Sequence, residues 1–264
     1  MAHTIYENFV LANQIEDQYN SYLNLATFCT VDNSLVGTPG MIKKIHRYTA
    51  TNGTEALAMG VGNSKDIEVS YTPVEYTIEM AQNRFGYFDE QEMTDPLVVE
   101  TGLRHMTTDM FNYVNDKVFA ELNKATLTHE AATPDFAAFV DGIAKLNVKA
   151  QENLPGMGLF GIVSIADMAK IRKALKDDLK YVEAFSKQGY VGNIAGVPLY
   201  SKADAPAGTI IVANREAVTL FNKKGVEVEQ ERDADIRKNT IWSRKYFLAA
   251  LTDATKAVKI TIGG

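Results

Sequence analysis

The sequence predicts an α+β fold, with helices and strands interleaved around one sheet or two. Three observations carry this. Asp95–Ala125 is one long amphipathic stretch. Asp66–Phe88 (DIEVSYTPVEYTIEMAQNRFGYF) is dominated by β-branched and aromatic residues. Short apolar runs of strand length, separated by turn residues, fill much of the second half, among them Leu159–Val163, Thr209–Ala213 and Ala257–Ile262.

The long stretch is a helix by several independent signs. Asp95 is a good N-cap, and Pro96 sits where a first helical residue needs no free N–H. Glu100 lies near the positive end of the helix dipole and Lys124 near the negative end. Apolar residues recur in steps of three and four at Val99, Leu103, Met106, Met110, Val114, Val118 and Leu122, which draws one stripe down one face. At 1.5 Å per residue, about 30 residues make a rod of roughly 45 Å. Such a rod runs along the back of a molecule, with other elements leaning on it.

Composition bounds the rest. With 264 residues, 46% of them hydrophobic and 23% charged, the chain can build one large core or two small ones. Mean hydropathy is −0.15 and no apolar run approaches membrane-spanning length, so no membrane association is expected. The first 20 residues lack a basic segment followed by an apolar one, which excludes a secretory signal there. A single cysteine, Cys29, excludes an intrachain disulfide and a multi-cysteine metal site, and fits a cytoplasmic origin. A net charge of −6 is not that of a protein gripping nucleic acid by its overall charge.

In chain order, residues 1–38 are polar, with scattered apolar residues such as Ile5, Phe9 and Tyr22. We read an extended arm with a short helical piece near Ile15–Leu25, too poor in apolar surface to fold alone. From Gly40 the chain becomes strand-like. Asn52-Gly53 is a hairpin signal, and Pro73 suggests an edge position or a bend. Arg47–Val74 is read as a two-stranded excursion that leaves the body and returns, although periodicity alone favours a hairpin folded back on its own sheet. A ribbon of that kind is marginal by itself in water.

After the long helix, Thr126–Thr133 reads as a polar linker. Pro134 opens a helix with Phe136, Phe139, Val140, Ile143 and Leu146 on one side. Leu154–Gly158 is a turn, Leu159–Val163 a strand, and Ser164 caps a helix to about Leu175. Tyr181–Gly192 is expected to carry a short helix. Val197–Tyr200 and Thr209–Ala213 are strands flanking the turn-rich ADAPAG. Ala217–Phe221 is a strand, Lys223-Lys224-Gly225 a turn, and Asn239–Leu251 and Ala257–Ile262 are strands.

Motifs that would carry chemistry fail in context. Gly156, Gly158 and Gly161 spell G-x-G-x-x-G, but they follow a helix and lead into a strand, the reverse of a dinucleotide turn. Asn52-Gly53-Thr54 spells a glycosylation sequon without an export signal. The four histidines lack ligand spacing. The densest charge run, Glu227–Asn239, contains Asp233 and Asp235, which together suit a hard cation or acid–base work. Arg232, Arg237 and Arg244 beside them favour ion pairing or a solvated loop instead. No catalytic residues, cofactor site or metal site is therefore expected.

The order of these pieces resembles the major capsid proteins of tailed bacteriophages, the Hong Kong ninety-seven fold. The segments most like it are GNIAGVPLYSKADAPAGTIIVANREAV (Gly192–Val218) and VEVEQERDADIRKNTIWSRKYFLAALTDATKAVKI (Val226–Ile260). Within them, Gly196-Val197-Pro198-Leu199 precedes a Pro/Gly-bearing loop, and Asn239 to Arg244 leads towards a final strand at Ala257-Val258. The resemblance spans essentially the whole chain and lies in the order of elements, not in a short signature.

The resemblance implies an N-terminal arm (1–38), an extended loop and spine helix in the first part of a peripheral domain (39–133), an axial domain (134–216), and C-terminal strands completing the peripheral domain (217–264). The C-terminal strands would lie with Gly40–Arg47 and Tyr71–Phe88 in one sheet beside the spine helix. It implies a non-enzymatic coat protein, made in the host bacterial cytoplasm and resident in the virion capsid. Copies would assemble as pentamers and hexamers into an icosahedral shell around double-stranded DNA, cations neutralising both. A separate scaffolding protein, a portal and a decoration protein are the further partners it suggests. The sharpest alternative is an encapsulin-like shell around a cargo enzyme. Candidate inter-subunit contacts are Arg47, Glu55, Lys65 and Asp66 in the ribbon and Glu231, Arg232, Asp233, Arg237 and Arg244 in the charged run. Lys65 is the only lysine deep in the excursion, and no residue pattern marks a covalent crosslink.

Overall fold

The computed structural model describes residues 24–146, 158–176 and 192–263. The expected helices at Ile15–Leu25 and Tyr181–Gly192 and the turn at Leu154–Gly158 lie wholly or mostly outside those residues. Strands β1 (Thr30–Asp32), β2 (Ile42–Ala50), β3 (Val69–Thr77) and β4 (Glu79–Phe88) come first. Helices α1 (Asp89–Thr94) and α2 (Leu97–Leu122) follow, then β5 (Leu127–Ala131), α3 (Phe136–Ala144), β6 (Leu159–Ser164) and α4 (Ile165–Ala174). The chain ends with β7 (Asn193–Ile194), β8 (Val197–Lys202), β9 (Thr209–Asn214), β10 (Val218–Asp233), β11 (Lys238–Leu251) and β12 (Ala257–Ile262).

These strands make three sheets: four-stranded β1-β10-β11-β4, six-stranded β5-β12-β9-β6-β8-β7, and a separate ribbon β2-β3. Helix α2 is 26 residues long, about 39 Å. Asp95 supports its start, its carboxylate accepting from Leu97 N–H at 3.0 Å. Met110, Val114, Val118 and Leu122 bury the expected stripe against Ala81 of β4, Leu220 of β10 and Phe247 of β11. The stripe's first turn departs from expectation: Leu103 is exposed and Val99 half-buried. A methyl group on Gly102 would meet the Phe85 ring at 2.4 Å, so only glycine lets helix and sheet approach there.

The six-stranded sheet is covered on both faces. Along β9, Ile211 and Ala213 join the core under α2, while Ile210 and Val212 join a second core under α3 and α4 with Phe139, Met168 and Ile171. That is why TIIVAN reads as a continuous apolar run and not as an alternation. Ser164 caps α4 as expected, accepting from Asp167 N–H at 3.0 Å. Lys202, 1% exposed, reaches Asp116 of α2 at 2.8 Å and ties this sheet to the long helix.

Several expectations are corrected. Thr126–Thr133 is not a linker but contains β5, an edge strand parallel to β12. Phe136 and Val140 face outward, because α3 buries Ala138, Phe139 and Gly142 instead. Lys223-Lys224-Gly225 is no turn. Strand β10 runs through it with register shifts between Asn222 and Glu227, bulges that bend the strand without ending it. Asn52-Gly53 is not the tip of a two-residue hairpin. The paired strands end at Ala50 and Val69, and Gly53 is wedged against Ile67, where an added methyl would come within 2.7 Å. Finally, β12 pairs with β9 and β5, and residues 42–50 pair only with β3, so neither lies in the sheet beside α2. Gly161 of the glycine-rich motif lies inside β6, packed on Leu199.

Candidate inter-subunit surface

Two projections hold the residues expected to contact neighbours. The first is the β2–β3 ribbon, registered from Ile42↔Thr77 to Ala50↔Val69. Its root is anchored: Ile45 and Tyr76 pack on a small core of Ile78, Phe221, Leu248 and Ala250. Arg47 is part of this anchor. Its Nη2 donates to the Leu251 carbonyl at 2.7 Å and to the Tyr76 hydroxyl at 3.3 Å, and Tyr76 donates to the same carbonyl at 3.2 Å.

Beyond the root the ribbon has little support from its own chain. Tyr48, Val69 and Tyr71 are each about 60% or more exposed, and so is Ile67 in the loop beyond. Met59 is fully exposed, Leu57 half exposed and Val61 more than half. Among the described residues, the hydrogen bonds of the loop from 51 to 68 stay within it. Thr51 N–H donates to the Glu68 carbonyl at 3.0 Å, Ser64 Oγ donates to Glu55 at 3.0 Å, and Asn63 donates to the Lys65 carbonyl. Asp66 backs onto Gly53. On the ribbon surface His46 stacks on Tyr71 with ring centroids 5.0 Å apart, and Lys44 pairs with Glu75 across the strands at 2.6 Å. An exposed apolar set of this size is of the kind that interaction surfaces present.

The second projection is the outer part of the β10–β11 hairpin. Asp233↔Lys238 is its last pair, and residues 234–237 make the turn. Arg237 takes a left-handed backbone (φ 52), unusual for a residue with a side chain. Its charges are used within the chain. Arg232 meets Asp89 at 2.7 Å, and Arg237 Nε meets Glu90 at 2.6 Å. Asn239 donates to Asp89 at 2.7 Å, and Asp89 N–H donates to the Arg237 carbonyl at 3.1 Å. Arg244 pairs with Glu229 on the facing strand, while Asp233 accepts from Asp235 N–H at 3.0 Å. Glu231 stands exposed opposite Thr240.

The hairpin tip therefore grips the first turn of α1, whose residues Asp89, Glu90 and Glu92 are acidic. The Arg232 hydrogen bond holds the Asp89 carboxyl below the usual range. Glu90 is lowered first by its hydrogen bond to backbone and then by Arg237. Sequence reasoning missed Asp89 and Glu90 as the arginines' partners. The signal present was an acidic DEQE directly after a strand, where a helix N-terminus favours negative charge. Among the described residues no three His, Cys, Asp or Glu side chains form a metal-holding group. Cys29 is buried, and burial pushes its thiol up to about 12.

No family model matches the chain. A curated relative, the major capsid protein of Staphylococcus phage phiMR11, is 29% identical over 270 residues, covering 96% of this chain and 92% of the relative. The fold is similar to solved structures from Mycobacterium phage Che8 (TM-score 0.69, 17% identity, 98% of this chain and 97% of that one) and from the capsid of cyanophage P-SCSP1u (TM-score 0.72, 12% identity, 96% and 92%). It is similar also to the mature capsid of bacteriophage PhiM1 (TM-score 0.70, 12% identity, 100% and 93%). The chain is thus similar in sequence to a phage major capsid protein, and its fold is the one seen in solved phage capsids.

Proposed function

We propose that this chain is the coat subunit of a tailed phage or prophage, assembling as pentamers and hexamers into a closed icosahedral shell around double-stranded DNA. The observation that supports this best is the ribbon. It is a two-stranded projection with exposed tyrosines and aliphatic residues, which its own body does not cover, in a fold matched end to end by capsid structures. The work of such a protein is assembly. Apolar surface buried at about 25 cal/mol per Å² at each contact, repeated round a closed shell, supplies the stability.

In this reading residues 1–38 are the arm, the β2–β3 ribbon lies over the adjacent subunit, and α2 is the spine. The six-stranded sheet with α3 and α4 forms most of the axial domain, so that β5 and β12 belong to it as well. Glu55, Lys65 and Asp66 are the ribbon charges that meet a neighbour, and Glu231 and Asp233 those of the hairpin. A scaffolding protein sets shell size, a portal occupies one vertex, and cations between the acidic shell and the DNA offset their repulsion.

Sedimentation of particles from cells in which the phage replicates tests the proposal. The chain is expected in fast-sedimenting shells that protect DNA from nuclease. Shells filled with a protein cargo and no DNA, or recovery of the chain only as a small oligomer, would overturn it.

A further inference from the structure

An apolar groove of about 330 Å³ runs between α2 and the β10–β11 hairpin. Leu103, Met106 and Met110 form one wall, and Val226, Val228 and Ile241 the other. It is not a closed core, since Val226 and Val228 are 56% and 63% exposed and Leu103 39%. Lys245 also lines it. Its ammonium has no carboxylate partner among the described residues and lies 5.8 Å from the centroid of the Phe247 ring. Partial burial alone pushes its pKa down. The groove thus offers apolar walls and one unneutralised cation, which suits an occupant carrying apolar side chains and a carboxylate.

The chain itself leads to that place. Asn24, the first described residue, lines the groove together with Ala26. The next step is fixed: Leu25 is fully buried, and its N–H donates to the side chain of Asn115 of α2 at 3.1 Å. The 23 residues before Asn24 hold three carboxylates, Glu7, Glu16 and Asp17, and neither lysine nor arginine. Ile15, Tyr19 and Tyr22 recur at steps of four and three, with Glu16 and Asp17 beside them.

We propose that residues 15–23 seat in this groove of their own chain, with Ile15, Tyr19 and Tyr22 between α2 and the hairpin and Glu16 or Asp17 neutralising Lys245. The segment then completes the core that α2 leaves open in its first turns. This inference stands on the groove and does not depend on shell formation.

The test uses the full chain carrying Tyr19→Cys with Val228→Cys, and each single variant as a control for pairing with Cys29. On mild oxidation a disulfide within one chain is expected for the double variant alone. A bond only between chains, or none, would overturn the proposal. In case the double variant fails to fold, amine labelling of Lys245 is read by mass spectrometry. Ile15→Asp with Tyr19→Asp is expected to raise its labelling several-fold over the unmodified chain, and unchanged labelling would overturn the proposal.

Discussion

The β2–β3 ribbon and the β10–β11 hairpin are both antiparallel two-stranded projections, yet they end differently. The hairpin continues a four-stranded sheet, has Phe247 and Leu251 in the main core at its base, and fastens its tip to α1 through Arg232–Asp89 and Arg237–Glu90. The ribbon is fastened only at its root, through Arg47, Tyr76 and Ile45, and its distal half exposes Tyr48, Tyr71, Leu57 and Met59. A two-stranded element without a covered face is marginal in water. One projection is thus stable by itself, and the other needs a partner. Charge density alone does not separate interface from body, since the most charged segment satisfies its own arginines.

The largest effect expected from this contrast is in the hairpin base. Phe247→Ala should cost the free subunit roughly 3–5 kcal/mol, because a fully buried aromatic side chain leaves a cavity between α2 and the sheet. Chemical denaturation measures it, and a loss near zero would remove the hairpin from the core. On the long helix, Met110→Asp places an unpaired charge in the same core and should give insoluble protein, whereas a soluble, assembling variant would sink the stripe assignment.

Deleting Asn52–Ser64 should do the opposite of Phe247→Ala. The free subunit should unfold at nearly the same denaturant concentration, while shells fail to form or fall apart. Intact shells would mean that the ribbon's end contacts nothing.

The smallest effects concern the hairpin tip. Asp89 and Glu90 have folded pKa values held below their unfolded ones, by Arg232 and by backbone and Arg237 respectively. Their contribution is therefore present above the unfolded pKa and is lost as pH falls through the folded one. A double-mutant cycle of Arg232→Ala with Asp89→Asn should show favourable coupling at neutral pH that fades below about pH 4. Coupling that persists in acid would contradict the pairing.

What was legible in the sequence follows from range. The long helix shows because its stripe, its capping Asp95 and its dipole-matched charges are all local. The run TIIVAN shows because a doubly covered strand is apolar throughout. Asn52-Gly53 misled because its glycine serves close approach to Ile67, a packing need that looks the same in sequence as a turn. Lys223-Lys224-Gly225 misled because a bulge uses turn-like residues inside a strand. Strand β5 was hidden because it is short, polar at an edge, and paired with residues some 130 positions away, as Leu127↔Val258 shows. The ion pairs were hidden for the same reason, Arg232 and Asp89 being 143 residues apart. Ribbon exposure was not legible in the periodicity, which favours a hairpin folded back on its own sheet, because exposure depends on where the strands' root is anchored.

Negative-stain electron microscopy with sedimentation velocity, on the full chain alone and co-produced with the scaffolding protein proposed above, tests the central claim most directly. Closed shells, or rings of five and six subunits, are the predicted result. A stable monomer or dimer under both conditions would contradict it.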